Sequence, residues 1–421
     1  MTTRDVDQIR DLIKKTFNSI TSQDEWVHLG DFGNKMKQVD PSFNHRNYGK
    51  EKLSVLLVDF GDLVELYRDD SFDPPVTYLR LREEAKNTSG GADTAVMPLA
   101  IATKHITPEP NYVQSHKRKH PLFVWAYFPG FHEAMKSLAV DYALQEPWSL
   151  DDPPGAEPTY PVLEKYFLYT FIRLKREGKV KESKEHRIAA FNTGLVDHSY
   201  EDIYATFRPN NIKLESPWLF SGFCRKAHGT DGKDLVRVFN PLPETAHYFN
   251  SPAEMFYDIK SGLPDVNWEH VIIDNIDRYP LQFLKEHAPK GFRILDALPE
   301  TWEEQDLYFD SLARALRQDS SAYRRIKNRI EDAIEFALKK VRWNYKVAVP
   351  SYYPTNHTMS LLLPLALLDD SHVDLALVTE RTNAGKYLGH TILTLEMAYN
   401  NARLVCRPDS FWLAPEMAKR F

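Results

Sequence analysis

Residues 357–413 decide how the fold is read: HTMSLLLPLALL (357–368), VDLALVTER (373–381) and YLGHTILTLEMAYNNARLVCRPDSFWL (387–413) are three apolar segments parted by short polar breaks. Near-continuous Leu, Val and Ile over such lengths suits strands covered on both faces, since no position has to meet water. The breaks Asp369-Asp370-Ser371 and Asn383-Ala384-Gly385 carry turn chemistry, so the segments are expected to form a hairpin-linked core. After Leu395 the texture turns polar, at Glu396, Asn400, Asn401, Arg403, Arg407, Asp409 and Trp412. Amides and guanidinia this dense beside a sheet either satisfy buried main chain or line a pocket, and both readings stay open.

Outward from that core, 421 residues exceed one ordinary domain, and an apolar content of 43% can fill more than one interior. With 53 basic against 59 acidic residues, the net charge of -6 argues against a polybasic mode of nucleic-acid binding but allows a local basic face. Cys224 and Cys406 stand far apart with no CxxC spacing. That excludes a thiolate zinc site and a disulfide framework and suits a reducing compartment. The segment Met1 to Ile20 is charged and amphipathic, unlike a secretion signal, and no apolar run nears the roughly 20 residues that span a bilayer. A soluble, cytoplasmic protein with no membrane contact is expected.

At the amino end, Val6, Ile9, Leu12, Ile13, Phe17 and Ile20 recur at helical spacing. Past the break Thr21-Ser22-Gln23-Asp24, Trp26 to Leu29 reads as a brief strand and Gly30 to Val39 as a second helix with Phe32 and Met36 inward. A third helix runs through Tyr48, Leu53, Leu56 and Leu57. Val64 to Tyr67 and, beyond Pro74-Pro75, Val76 to Leu81 alternate as paired strands do. Three helices and then a hairpin is the order of a winged helix-turn-helix, whose third helix faces nucleic acid. Arg46, Tyr48, Lys50 and Lys52 fall near the start of that helix, and Lys35 and Lys37 extend the patch. Asp59, Asp62, Asp69 and Asp70 keep the segment from being basic overall.

Within residues 1–83 the stretches Trp26-Val27-His28-Leu29, Phe43-Asn44-His45-Arg46-Asn47-Tyr48-Gly49, Lys50 to Leu57 and Leu63-Val64-Glu65-Leu66 resemble the LOTUS domain, also called OST-HTH. The resemblance implies association with RNA, single-stranded or structured, and for some members with a helicase partner. It is a fold-level warrant rather than a site.

Residues 84–120 read as a linker, with Asn87-Thr88-Ser89-Gly90-Gly91-Ala92, Thr107-Pro108-Glu109-Pro110 and a closing positive cluster from Ser115 to His120. Residues 121–421 are read as a large domain. Its aromatics Phe123, Trp125, Tyr127, Phe128 and Phe131 suit a core, Met135 to Leu144 and Glu164 to Arg176 suit helices, and Asp151 to Gly155 an exposed loop. The strand Ile188 to Phe191 is expected to end in Asn192-Thr193-Gly194, leaving an amide and a hydroxyl at a strand end, where ligands lie in α/β sheets. A plain turn explains the same residues. Val271-Ile272-Ile273 is flanked by His270, Asp274, Asn275 and Arg278, which would supply acid, base or phosphate-binding groups if they met Asn192 and the C-terminal arginines. Asp274 serves equally as a helix cap. Helical spacing continues from Ile294 to Leu298 and from Leu307 to Trp343. Arg324, Arg325, Lys327, Arg329, Lys339, Lys340 and Arg342 there, mixed with Glu331, Asp332 and Glu335, suit a solvated amphipathic helix.

Phe191 to Leu195, His270 to Pro280, Leu361 to Leu365, Asp374 to Val378 and Leu395 to Trp412 make Pro121 to Leu413 similar to a bacterial family, domain of unknown function 3825. That resemblance implies an architecture and a bacterial setting, and no chemistry. GxxxxGK[ST], GxGxxG, HExxH and GxSxG are all missing, and the 15 histidines are scattered. NTPase, dinucleotide, zincin and serine-hydrolase readings lose their usual support; no metal is called for and the cofactor is left unassigned.

The expected fold is mixed α/β, a small winged helix-turn-helix domain followed by a large mixed-sheet domain with surrounding helices. The leading functional expectation is an RNA-binding protein whose large domain holds RNA or a nucleotide in a pocket of Asn192, Thr193, Gly194, His270, Asn275, Arg278, Asn400, Asn401, Arg403 and Arg407. An RNA- or nucleotide-processing enzyme with His270 or Glu396 as acid/base is the alternative, and a protein-interaction scaffold acting through the LOTUS face a further one.

Overall fold

The computed structural model describes residues 3–20, 26–69, 76–82, 120–150, 158–211, 216–354, 357–409 and 411–413. The breaks Thr21 to Asp24 and Pro74-Pro75, Asp70, the loop Asp151 to Gly155 and the linker with its basic cluster as far as Lys119 lie outside the described residues. The chain divides into two units between Lys119 and His120.

In the first unit, α1 (Thr3–Asn18) turns Ile9, Leu12, Ile13 and Phe17 onto Phe32 and Met36 of α2 (Leu29–Val39), with the Phe17 and Phe32 ring centroids 4.6 Å apart. The third helix comes in two pieces. A 3-10 turn, His45–Tyr48, is capped by the Asn44 side chain, which accepts from the Arg46 N–H at 3.0 Å, and is stopped by Gly49 at φ +75°, a left-handed conformation that glycine adopts without strain. Only then does α3 (Leu53–Val58) begin. Strands β1 (Val27–His28), β2 (Val64–Asp69) and β3 (Val76–Leu81) form an antiparallel sheet in the order β1-β3-β2. Val64 opposite Leu81 and Leu66 opposite Leu79 face the core, while Glu65 opposite Arg80 and Tyr67 opposite Tyr78 take the other face, as a period of two requires. This is a winged helix.

The second unit holds two five-stranded mixed sheets. One is ordered β4-β8-β7-β6-β5, from β4 (Ala126–Tyr127), β5 (Lys181–Ser183), β6 (Ile188–Val196), β7 (Asp202–Pro209) and β8 (Trp218–Arg225). The other is ordered β10-β11-β12-β13-β9, from β9 (Asp265–Val266), β10 (Val349–Tyr353), β11 (Thr358–Leu365), β12 (Leu375–Arg381) and β13 (Tyr387–Leu393). The expected hairpins are β11 to β13. Asp374 caps the first turn by accepting from the Leu367 and Leu368 N–H groups, and Gly385, at φ +79°, closes the second.

Alternation along the strands explains the apolar runs. Leu361, Leu363, Leu365, Leu375 and Leu377 enter one core, and Leu362, Ala376 and Leu393 enter another on the opposite face. Helices α9 (Trp302–Gln318) and α10 (Ser320–Trp343) cover the first face. Helices α6 (Pro161–Arg176) and α11 (Leu395–Val405) cover the second and are themselves covered by Phe191, Ala205 and Phe207 of the other sheet. Beyond that sheet α7 (Gly229–Val238) packs Leu235 on Ile188 and Ala190. The layers therefore run α7, sheet, α6 with α11, sheet, α9 with α10, so each sheet is sandwiched between helices. Fully burying one of these leucines contributes about 1.5–3 kcal/mol, which fixes the register of each strand.

The remaining α elements are α4 (Pro121–Trp125), α5 (Phe131–Ser137), which continues as a π-turn Leu138–Tyr142, and α8 (Leu281–His287). Capping follows the sequence: Thr301 accepts from the Glu304 N–H to start α9, Asp319 from Ser321 and Ala322 to start α10, and Thr394 from Met397 to start α11. Phe123, Trp125, Phe128 and Phe131 pack in the core with Phe167, Phe191 and Phe207.

Three local expectations are corrected. Asn192-Thr193-Gly194 does not end its strand; β6 continues to Val196 past an irregularity in its pairing with β7, where Gly194 takes φ +73°. Ile294 to Leu298 is not helical. Val271 to Ile273 belongs to a π-turn, His270–Asp274, so Asp274 closes a helical turn rather than opening one. Trp412, in a final 3-10 turn Phe411–Leu413, is buried and donates from Nε1 to the Val347 carbonyl at 2.8 Å. Among the described residues no helix is long and apolar enough to cross a membrane.

Candidate functional site

The basic residues expected to face nucleic acid lie along the path from α2 to α3. Lys37 and Arg46 are exposed, and Lys35, Tyr48, Lys50 and Lys52 are half-buried. Tyr48 stacks on Phe43 at 6.1 Å, which holds the 3-10 turn against the core. Arg46 pairs with Glu51 at 3.2 Å, Lys50 with Asp59 at 2.9 Å, and the Lys35 amine donates to Gln38 at 3.3 Å. The Lys50 and Asp59 pair is partly exposed, and pairs of this kind contribute only about 0–1 kcal/mol, so a phosphate can replace that carboxylate at small loss, whereas Glu51 is only 12% exposed. On the outer face of the wing, Arg80 lies 4.7 Å from the Trp26 ring and pairs with Glu65 at 2.8 Å, and Trp26 meets Tyr67 edge-on at 5.7 Å.

In the large unit the C-terminal polar residues meet the Asn192 segment through one side chain, Tyr166 of α6. Its hydroxyl donates to the Thr193 carbonyl at 3.0 Å, and the Arg403 guanidinium lies 4.6 Å from the centre of its ring. Arg403 donates from Nε and Nη2 to the two carboxylate oxygens of Glu146, both at 2.7 Å, with Trp148 on its other side at 5.1 Å. Arg403 and Glu146 are 6% and 7% exposed, which makes this a desolvated bidentate pair. Burial pulls the arginine pKa down, but the hydrogen bonds to Glu146 outweigh it and hold the guanidinium above its ordinary value. The same burial pushes the Tyr166 hydroxyl up.

Asn192 and Thr193 turn inward on themselves. Asn192 Oδ1 accepts from the Gly194 N–H at 2.9 Å and its amide donates to the Pro243 carbonyl at 3.4 Å; the Thr193 hydroxyl donates to the Ile203 carbonyl at 2.8 Å. A side chain at Gly194 would sit 2.5 Å from the Tyr166 oxygen. Asn400 and Asn401 are buried on α11 beside Arg403. Two turns beyond Tyr166 on α6, Arg173 donates to the Tyr352 hydroxyl at 3.2 Å and to Glu177 at 2.5 Å, and Tyr352 meets His357 Nδ1 at 3.0 Å. Tyr166, Thr170 and Arg173 thus form a polar stripe at helical spacing on a buried helix.

His270, Asn275 and Arg278 do not join this group. Val271, Ile272 and Ile273 sit in the core on the far face of the β10 to β9 sheet, so that sheet stands between them and α11. His270 Nδ1 meets Asp274 at 3.1 Å at the surface, Asn275 donates to the His270 carbonyl at 2.6 Å, and Arg278 donates to Thr391 Oγ1 at 3.1 Å and to the Ile392 carbonyl. Glu396 is half-exposed, 3.7 Å from Lys165, and Arg407 is exposed past the end of α11. The structure links the Thr193 carbonyl to Arg403 through Tyr166, and His270, Asn275, Arg278 and Arg407 lie elsewhere. Sequence reasoning missed Tyr166 and Glu146, because Tyr166 reads as one more aromatic core residue and Glu146 stands 257 positions from its partner. Among the described residues no group of three or more His, Cys, Asp or Glu is placed to hold a metal ion.

Residues 4–75 match the OST-HTH/LOTUS domain, a module that in general binds nucleic acid, and residues 140–412 match the family described as Domain of unknown function (DUF3825). No curated protein and no solved structure matches the chain. The DUF3825 match spans well over half of the 421 residues and takes in α6, α11 and both sheets except β4. The chain belongs to the DUF3825 family and carries an OST-HTH/LOTUS winged-helix domain ahead of its DUF3825 domain.

Proposed function

We propose that this protein binds RNA, and that its winged-helix unit holds the RNA along Lys35, Lys37, Arg46, Tyr48, Lys50 and Lys52. The observation that carries the reading is the path from α2 through the 3-10 turn to α3, which displays these cations on the element order of an OST-HTH/LOTUS domain, with Lys50 paired to a carboxylate, Asp59, that stays partly exposed. Phosphate contact there is electrostatic, so it is sensitive to salt and tolerant of sequence. The geometry favours a structural part for Arg403: its fork is already filled by Glu146, and a phosphate would have to displace a buried carboxylate.

The test is binding of the full chain to labelled single-stranded, G-rich and structured RNA at low salt, with the variant Arg46→Glu/Lys50→Glu beside it. The variant is expected to weaken binding at least tenfold. A wild-type chain that ignores all three RNAs overturns the reading.

A second reading is supported by one observation, the half-exposed His270 imidazole oriented by Asp274, an arrangement that positions a general acid or base. Incubation with labelled RNA and a nucleotide panel, with and without Mg²⁺ or Mn²⁺, tests it. Turnover that disappears in His270→Ala supports an enzyme, and no turnover under any condition removes that reading.

A further inference from the structure

Helix α10 buries Ile326, Ile330, Ala333, Ile334, Ala337 and Val341 beneath the β10 to β9 sheet, yet ends on Trp343, which is 93% exposed. Two residues on, Tyr345 is 56% exposed and meets Phe256, itself 42% exposed, edge-on at 5.1 Å. Exposed cations interleave with these rings: Lys339, Arg342 and Lys346. Asp409 lies 3.7 Å from Lys346, with both side chains mostly in solvent.

Cations at a helix C-terminus have a structural explanation, since they complement the partial negative charge of the last carbonyls. Lys340 fits it, with its ammonium over the Phe336 ring at 4.2 Å and donating to the Asp370 carbonyl. That account leaves the rings unexplained. An indole left almost wholly in water forgoes the burial that makes tryptophan stabilising, and nothing in the fold of α10 requires it at position 343. Protein-binding patches shed lysine from their centres, whereas here Arg342 stands beside Trp343 and Lys346 beside Tyr345 along the chain. Flat rings that accept any base by stacking, with positive charges at backbone spacing, are the chemistry of single-stranded nucleic-acid contact.

We propose that the end of α10 and the turn after it, with Trp343 and Tyr345 as stacking rings and Lys339, Arg342 and Lys346 as phosphate contacts, form a single-stranded RNA contact on the DUF3825 domain. The inference rests on the reading of the chain as an RNA-binding protein and places a second contact in the large unit. Bases stack on Trp343, and the Tyr345 and Phe256 pair supplies an adjacent face.

The experiment is fluorescence anisotropy of the full chain with a labelled, unstructured single-stranded RNA at about 50 mM salt. Trp343→Ala/Tyr345→Ala removes only exposed rings, so its circular dichroism and unfolding midpoint should match the wild type while affinity falls by about tenfold. Lys339→Glu/Arg342→Glu should flatten the dependence of affinity on salt. If the ring variant binds like the wild type while Arg46→Glu/Lys50→Glu loses binding, this surface is not an RNA contact although the RNA reading stands. If the wild type binds no RNA, both fall. A ring variant that keeps RNA but loses a protein that co-purifies with the wild type overturns the proposal in favour of protein docking.

Discussion

At the scale of single residues, the Arg403 and Glu146 pair is the most consequential contact in the large unit. Removing one partner strands the other charge in a dry interior, so Arg403→Met should lower the unfolding free energy by about 3–5 kcal/mol, measured by urea titration. The double variant Arg403→Met/Glu146→Gln should recover a large part of that loss; no recovery would show that packing against Trp148 and Tyr166 matters more than charge. Gly194→Ala places a methyl group 2.5 Å from the Tyr166 hydroxyl at φ +73°, and should destabilise by about 1–3 kcal/mol, an effect that Tyr166→Phe relieves in part. His120 gives a pH prediction. Burial lowers its pKa from 6.5 to about 4, and its Nδ1 accepts from the Leu122 N–H, so the folded state needs the neutral ring. The unfolded chain then binds the extra proton between those values, and stability should be complete above pH 6.5 and fall as pH drops toward about 4. His120→Gln should flatten that slope in unfolding curves taken across the window. These residue-level features were the least legible in the sequence, because each depends on a partner brought close only by the fold. The density of Asn and Arg after Leu395 announced buried polar work, but not that Glu146 would answer it.

At the scale of elements the sequence was more readable, for a physical reason. Strand β11 is apolar on both faces, and a run such as Leu361 to Leu365 has few other places to go. Helices α1, α2, α9 and α10 announced themselves through apolar spacing, and the wing through alternation. Irregularities did not. Asn192-Thr193-Gly194 has the chemistry of a turn, yet pairing with β7 carries the strand past it at the cost of its regular register. His270 to Asp274 winds as a π-turn, for which periodicity gives no sign. One consequence is measurable by hydrogen exchange: α11 lies between two sheets with eight buried residues, so its amides should be among the last to exchange, whereas those of α3, only six residues long, should exchange early. Early exchange of α11 would mean that the middle layer opens on its own.

At the scale of the whole molecule, the net charge of -6 means that any grip on RNA comes from local patches working against a mildly repulsive background. Each phosphate neutralised on a single strand should contribute about 0.7 to the slope of log affinity against log salt. Arg46→Glu/Lys50→Glu should therefore reduce that slope by roughly one to two, measured by repeating the binding curves across salt concentrations. A slope that does not change would place the electrostatic contact elsewhere. The split between the units also shows why function was harder to read than fold: the family resemblance named a module, while the large unit offers no familiar motif and must be judged by which surfaces are unusual. One further effect follows from Trp412, whose indole is fastened to the Val347 carbonyl next to the turn that displays Tyr345. Trp412 is thus a latch on that turn. A ladder of shortened chains should show a sharp drop in solubility once the cut removes Trp412, and the rings beside the latch should lose their fixed stance at the same rung.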